Sequence, residues 1–89
     1  MEIKQGANNL YIGKDERNVD AEITYQVEGS ILIIDHTYVS PQLRGQGIAA
    51  KLLDELLKYV RSKNFKVKPI CPYVFSMFEK NPNWHDLLD

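Results

Sequence analysis

The segment from Val39 to Ala49 most constrains the fold, because it joins an extended, β-branched run to the start of an amphipathic helix. Its sequence is Val39-Ser40-Pro41-Gln42-Leu43-Arg44-Gly45-Gln46-Gly47-Ile48-Ala49. A strand, a loop with glycines at alternate positions and a helix in direct succession bring several backbone N–H groups to one point. The helix macrodipole adds about half a positive charge there. Glycine lets a ligand oxygen approach where a Cβ would obstruct it, and a guanidinium can bind a phosphate through two nitrogens. The segment therefore predicts a phosphate-binding loop.

An amphipathic helix follows Gly47. Its apolar stripe consists of Ile48, Ala49, Leu52, Leu53, Leu56, Leu57 and Val60, and charged residues occupy the opposite face. A short strand is predicted from Phe65 to Ile70. A strand, a crossover helix and a strand in this order favour parallel pairing with a right-handed connection. We therefore expect the helix to pack on a sheet.

Three further strands are predicted before the loop. Leu10–Ile12 is short, whereas Val19–Val27 alternates apolar and polar residues as a half-solvated antiparallel strand does. The turn Glu28-Gly29-Ser30 joins it in a hairpin to Ile31–Val39. The continuous apolar run Ile31–Ile34 predicts a central strand that is covered on both faces.

The C-terminal part of the chain is predicted to be helical. A helix over Tyr73–Lys80 has Pro72 at its first turn and is broken at Asn81-Pro82-Asn83. Trp84–Asp89 is expected to form a last helical turn. The whole pattern predicts an α+β (α/β) fold with a mixed, mostly antiparallel sheet, a central βαβ crossover and a short C-terminal helix.

Composition excludes several classes of function. The 89 residues suit a single domain, 1–89, expected to be a monomer or a weak dimer. A net charge of −1 argues against nucleic acid and anionic membranes as partners, and no apolar run approaches the roughly 20 residues of a membrane span. One cysteine and no secretory pattern at the N-terminus favour the cytoplasm. Two histidines and one cysteine without ligand spacing predict no metal site.

The stretch Arg44-Gly45-Gln46-Gly47-Ile48-Ala49 fits the (Gln/Arg)-x-x-Gly-x-(Gly/Ala) signature of the Gcn5-related N-acetyltransferase (GNAT) superfamily. The preceding Val39-Ser40-Pro41 is similar to a Val-x-Pro sequence that is frequent there. His36-Thr37, the pair Pro69-x-Cys71 and the ending Asn81-Pro82-Asn83-Trp84-His85-Asp86-Leu87-Leu88 resemble a short subfamily of these proteins. The resemblance implies a minimal form of the GNAT fold, without the elements that shape the acceptor pocket of larger members.

The resemblance also implies acetyl-CoA, or CoA, as the ligand. The pyrophosphate would bind Arg44, Gly45, Gln46, Gly47, Ile48 and Ala49. In the family the end of the fourth strand diverges from the fifth, so that its backbone groups bind the pantetheine arm and polarise the thioester. Here these groups belong to Thr37, Tyr38 and Val39. The implied reaction moves acetyl to an amine on a small molecule or a protein.

The catalytic residues are less evident from the sequence. Many larger members have a tyrosine that protonates the departing thiolate, whereas the aligned residue is Phe78, and Tyr73 is an alternative donor. Cys71 and His36 are candidates for a thiolate pair that accepts the acetyl group. The alternatives are a buried cysteine that acts as a small hydrophobe and a histidine that bonds a backbone carbonyl.

Two other functions fit the same sequence. A module that binds acetyl-CoA as a sensor or carrier without efficient transfer is consistent with Phe78 and with the missing acceptor elements. A small α/β interaction domain is the other, in which the glycine loop is only a turn. Binding of CoA distinguishes the interaction domain, which should not bind it, from the acetyltransferase and the sensor. Release of CoA in the presence of amines distinguishes the acetyltransferase from the sensor.

Overall fold

The computed structural model describes residues 2–89. In this range the strands are β1 (Lys4–Gln5), β2 (Asn9–Asp15), β3 (Asn18–Glu28), β4 (Ile31–Val39) and β5 (Lys66–Pro69). The α-helices are α1 (Ile48–Lys63) and α2 (Pro72–Lys80), and 3-10 helices span Pro41–Leu43 and Pro82–Leu87. The short strand β1 is an addition to the elements predicted from the sequence.

The strands form one mixed sheet in the order β1-β2-β3-β4-β5. The first four are antiparallel neighbours, and β4 and β5 are parallel because α1 connects them. The turn between β3 and β4 is tight, with Gly29 in the left-handed region at φ 60°. The predicted α+β fold with its βαβ crossover is thereby confirmed.

The apolar core lies on one face of the sheet. Both helices contribute to a single cluster there: the sheet provides Leu10, Ile12, Ala21, Ile23, Tyr25, Leu32, Ile34 and Val67, and the helices provide Ile48, Leu52, Leu53, Leu56, Leu57, Val60, Val74 and Phe78. The stripe of α1 follows the 3.6-residue period predicted from the sequence. This packing fixes the position of α1, and with it the loop at its N-terminus, relative to the end of β4.

The prediction that β4 is covered on both faces is wrong. Leu32 and Ile34 are fully buried, whereas Ile31 and Ile33 are only half-buried. The reason is that both helices pack on the face that carries Leu32 and Ile34. The strand does lie inside the sheet, since β3 and β5 pair with its two edges.

The end of the chain also differs from its prediction. The 3-10 helix ends at Leu87, and Leu88 forms a parallel bridge with Val67 instead of continuing a helical turn. The N–H of Asp89 donates to the Val67 carbonyl at 3.1 Å, so the last residues extend the sheet beyond β5. The exposed Arg61 guanidinium donates to both carboxylate oxygens of Asp86, at 3.0 and 3.4 Å, and lowers the pKa of that carboxyl.

No helix within residues 2–89 has the length and apolarity that crossing a membrane requires.

Candidate functional site

The glycine loop, residues 44–47, joins the 3-10 helix to α1 in a conformation that only glycine adopts easily. Gly45 and Gly47 have φ angles of 82° and 72°, both in the left-handed region. A Cβ built on either residue would meet no heavy atom within 4 Å. The loop therefore has open space in front of it, and the glycines serve both the backbone conformation and access to that space.

The N-terminus of α1 offers hydrogen-bond donors to this space. Gly47 is the N-cap residue, and within residues 2–89 no side chain caps this helix end, nor does its first turn hold an acidic residue. The first bond of the helix runs from the N–H of Lys51 to the Gly47 carbonyl at 3.1 Å. The N–H groups before Lys51 consequently have no partner within the helix, and the positive end of its dipole is not offset by a carboxylate.

Arg44 links the loop to the end of β4. Its Nε donates to the Val39 carbonyl at 3.1 Å, which leaves the two terminal guanidinium nitrogens for another partner. Gln46 is held in a similar way, with Nε2 donating to the Gln42 carbonyl at 3.3 Å. Both side chains are exposed. The loop is thus braced by its own polar side chains without closing the space in front of the glycines.

A pocket of about 160 Å³, here called the loop pocket, adjoins the loop. It is lined by Val39, Leu43, Arg44, Gly45, Gly47, Ile48, Ala49, Ala50 and Tyr73. Tyr73 enters from the first turn of α2, so its place in this pocket was not visible from its position in the sequence. Burial, and to a smaller extent the neighbouring Cys71, raise the pKa of the Tyr73 hydroxyl above its ordinary value. That hydroxyl is therefore protonated at neutral pH.

Strands β4 and β5 separate beside the loop pocket. Their parallel pairing ends at Ile34 and Pro69. The N–H groups of Ile70 and Cys71 both donate to the Ile34 carbonyl at 3.0 Å, after which the chain turns into α2. Because β4 continues to Val39, its edge opposite β3 over residues 35–39 has no strand beside it within the described residues 2–89. The space between this edge and the start of α2 is called the β4 cleft below, and it is the divergence that the family resemblance implied.

A β-bulge in β4 decides which side chains face the helices. Thr24 of β3 pairs with His36, but Tyr25 pairs with Ile34, so Asp35 is an extra residue. Asp35 accepts a hydrogen bond from the Thr24 hydroxyl. After the bulge, the side chains at 37 and 39 are on the helix side of the sheet, and those of His36 and Tyr38 are exposed on the other side. The sequence alternation gave no sign of this irregularity.

Cys71 meets Thr37 rather than His36. The Cys71 Sγ and Thr37 Oγ1 are 3.7 Å apart across the cleft, and Cys71 is only 4% exposed. Since His36 faces the opposite side of the sheet, the structure does not join it with Cys71 in a hydrogen-bonded pair. A catalytic role for either residue stays a prediction. Phe78 is buried against Trp84 in an edge-to-face arrangement, with ring centroids 5.3 Å apart, so the core holds an apolar ring at this position.

Metal-binding side chains are scattered. Within residues 2–89, no three His, Cys, Asp or Glu residues gather into a group that could hold an ion. The chemistry available at the loop is therefore that of backbone N–H donors, one guanidinium, the tyrosine hydroxyl and the edge of β4.

Comparison with known proteins places this geometry in a family. A sequence profile of the GCN5-related N-acetyl-transferase family matches residues 9–87. A GCN5-like candidate N-acetyltransferase from Staphylococcus aureus, solved by NMR, is 44% identical and has a TM-score of 0.81, over 99% of this chain and 87% of that one. The chain belongs to the GCN5-related N-acetyltransferase family. The resemblance inferred from the loop signature is confirmed.

Two more distant acetyltransferase structures agree in fold. A ribosomal-protein-alanine N-acetyltransferase from Brucella melitensis biovar Abortus is 22% identical with a TM-score of 0.57, over 86% of this chain and 63% of that one. For a candidate acetyltransferase from Agrobacterium tumefaciens the identity is 24% and the TM-score 0.60, over 81% and 55%. This chain thus spans 63% and 55% of the length of these two proteins.

Proposed function

We propose that this chain binds acetyl-CoA, with the diphosphate at the glycine loop, and transfers the acetyl group to an amine. The observation that carries the proposal is the N-terminus of α1, which combines uncapped N–H groups with two left-handed glycines that face open space. A diphosphate is the ligand that such an arrangement suits best, because it accepts several hydrogen bonds and is stabilised by the helix dipole.

Charge supports the same assignment. The chain carries a net charge of −1, so the attraction for an anion is confined to the loop. The terminal nitrogens of Arg44, held next to the loop by the bond from Nε to Val39, would add charge-assisted hydrogen bonds to a phosphate. Gln46, Ile48 and Ala49 would contribute through the backbone of the loop and of the first helical turn.

The β4 cleft would take the arm that carries the thioester. In a strand bonded to a neighbour on one edge only, alternate residues direct their N–H and C=O groups to the free edge. The Val39 carbonyl follows this rule, since it accepts the bond from Arg44. We expect the backbone of Thr37 and Val39 to bind the arm, and a backbone N–H there to polarise the thioester carbonyl, whereas the backbone groups of Tyr38 between them face β3.

Acetyl transfer to an amine needs little more than this positioning. A neutral amine held next to the thioester attacks its carbonyl carbon, and orientation alone lowers the barrier by several kcal/mol. The attacking nitrogen loses a proton as the amide forms, and the departing thiolate gains one. Tyr73 supplies a protonated hydroxyl in the loop pocket, whereas Phe78 has none to give. Tyr73 is therefore our candidate for the proton donor.

A second candidate function is binding of acetyl-CoA without efficient transfer. The packing of Phe78 in the core favours it, because the position aligned with the usual acid of the family serves stability instead. Release of CoA from acetyl-CoA in the presence of varied amines separates the two functions. A rate above that in buffer supports the transferase and contradicts the sensor, and a rate equal to that in buffer with every amine does the reverse.

Titration with CoA tests the proposal itself. We expect heat of binding and a rise in the thermal midpoint, because a ligand at 100 times its Kd stabilises a protein by about 2.7 kcal/mol. If millimolar CoA gives neither heat nor stabilisation, the glycine loop is only a turn and the protein is an interaction domain.

A further inference from the structure

The β4 cleft is open at the loop pocket and closed at its other end. Beyond Thr37 the backbone of β4 meets the start of α2, where Ile70 and Cys71 bond the Ile34 carbonyl at 3.0 Å. In front of that closure the Thr37 hydroxyl and the Cys71 sulfur are 3.7 Å apart. A carbon atom inserted on the line between them would need about 3.5–4 Å to each, so the two atoms would have to move to roughly twice their present separation. No acyl carbon fits between the two side chains as they stand.

The closure has little freedom to yield. Two neighbours of Cys71 are fully buried in the apolar cluster: Ile34, whose carbonyl accepts the Cys71 N–H, and Val74, in the first turn of α2. Cores of this kind are close-packed and do not absorb an added methylene without strain. Thr37 is β-branched, which restricts its χ1 rotation, and the backbone of Cys71 is fixed by its bond to Ile34.

We infer that Thr37 and Cys71 set the size of the acyl group, so that the protein accepts acetyl-CoA and rejects longer acyl-CoA thioesters. The inference rests on the proposed binding of the arm in the β4 cleft. Small closed sites discriminate a single methylene by about 10- to 200-fold. We therefore expect binding to weaken by about 10-fold or more from acetyl-CoA to propionyl-CoA.

Calorimetric titration with CoA, acetyl-CoA, propionyl-CoA and butyryl-CoA, without an amine, tests this selectivity. Cys71→Ala and Thr37→Ala each remove one side of the closure, whereas Cys71→Ser and Thr37→Val keep a γ atom in place. We expect both alanine variants to bring the acetyl-to-propionyl ratio of Kd values to within about 3-fold. The serine and valine variants should keep the ratio of the unmodified protein. Thermal unfolding of each variant verifies that it is folded before titration.

Each result has a definite meaning. A ratio that falls in the alanine variants alone supports the inference. Equal binding of all three thioesters by the unmodified protein, or a ratio that neither alanine variant changes, overturns it while leaving CoA binding intact. A fall in all four variants also overturns it, because side-chain size would then not be the cause. If the unmodified protein binds no CoA, the proposed function is contradicted together with this inference.

Discussion

The residues that flank helix α1 at its two ends, Gly47 and Asn64, are both in the left-handed region, but the two ends differ in capping and in charge. Asn64 at the C-terminal end has φ 56°, and its N–H donates to the Arg61 carbonyl at 3.2 Å. The basic residues Arg61 and Lys63 in the last turn offset the negative end of the dipole. Gly47 at the N-terminal end has φ 72°, yet it is not capped by a side chain in the described part of the chain.

This difference separates stability from function along one element. At the C-terminal end the N–H groups of Asn64 and Phe65 bond the carbonyls of Arg61 and Val60, and basic residues offset the charge. At the N-terminal end the chain leaves donors and positive potential in place, although a Ser, Asp or Asn cap would stabilise the helix by roughly a few tenths of a kcal/mol relative to glycine. A helix end kept in this state fits an anion that completes it, as the proposed diphosphate does.

Gly47→Val gives the largest expected effect and breaks the N-terminal end directly. We expect at least a 100-fold loss of CoA affinity, because the branched side chain would occupy the open space before the loop and strain a left-handed residue. The strain lowers the free energy of unfolding by about 1–2 kcal/mol. Calorimetric titration measures the first quantity and denaturant unfolding the second.

Gly29→Val is the matched control for that variant. Gly29 also has a positive φ, 60°, and also faces open space, but it lies in the turn between β3 and β4. We expect a similar loss of stability and unchanged CoA affinity. Equal affinities in the two variants would place the diphosphate elsewhere.

Arg44→Ala removes the charge beside the N-terminal end and keeps its backbone. We expect about a 10-fold loss of CoA affinity, since hydrogen bonds to charged groups contribute about 1.5–3 kcal/mol. Arg17→Ala is the control, because Arg17 is also exposed, lies in the turn between β2 and β3, and its loss changes the net charge by the same amount. If both variants lose affinity equally, the attraction comes from net charge and not from the position of Arg44.

The sequence predicted the N-terminal end of α1 well because its signals are local. Strand, glycines and helix stripe lie within residues 31–60, and the loop predicted between strand and helix is present, with Gly45 and Gly47 in the left-handed region. The hairpin and the parallel strand follow from neighbouring segments in the same way. Local patterns thus sufficed for the fold and for the placement of the loop.

The closed end of the β4 cleft, at Thr37 and Cys71, was not predictable from such local patterns. The contact between Thr37 and Cys71 joins residues 34 positions apart, and it depends on the bulge at Asp35, which shifts every later side chain of β4. The same limit applies to Leu88, whose bridge to Val67 replaced the predicted helical turn. Tertiary packing decides such details, and no periodicity in the chain encodes them.

Asn64→Ala breaks the other end of the helix. Alanine tolerates the left-handed region less well than asparagine, so we expect a loss of about 1 kcal/mol in the free energy of unfolding. CoA affinity should stay the same, because the change lies at the opposite end of α1 from the loop. Asn64→Gly is the control and should be as stable as the unmodified protein or slightly more so. A loss of CoA affinity in Asn64→Ala under conditions where the variant is folded would contradict the separation of stability from ligand binding between the two ends of α1.

Ala50→Asp sharpens the comparison with the smallest effects, because it should move stability and binding in opposite directions. Ala50 is an exposed residue of the first turn that lines the loop pocket. A carboxylate there complements the dipole and raises the free energy of unfolding by about 0.3–1 kcal/mol. The same charge repels a diphosphate, so CoA affinity should fall by about 3- to 10-fold, and added salt should reduce that fall. Ala50→Asn keeps the shape without the charge and should change neither quantity much. If Ala50→Asp raised both stability and affinity, the positive potential at this helix end would not be what attracts the ligand.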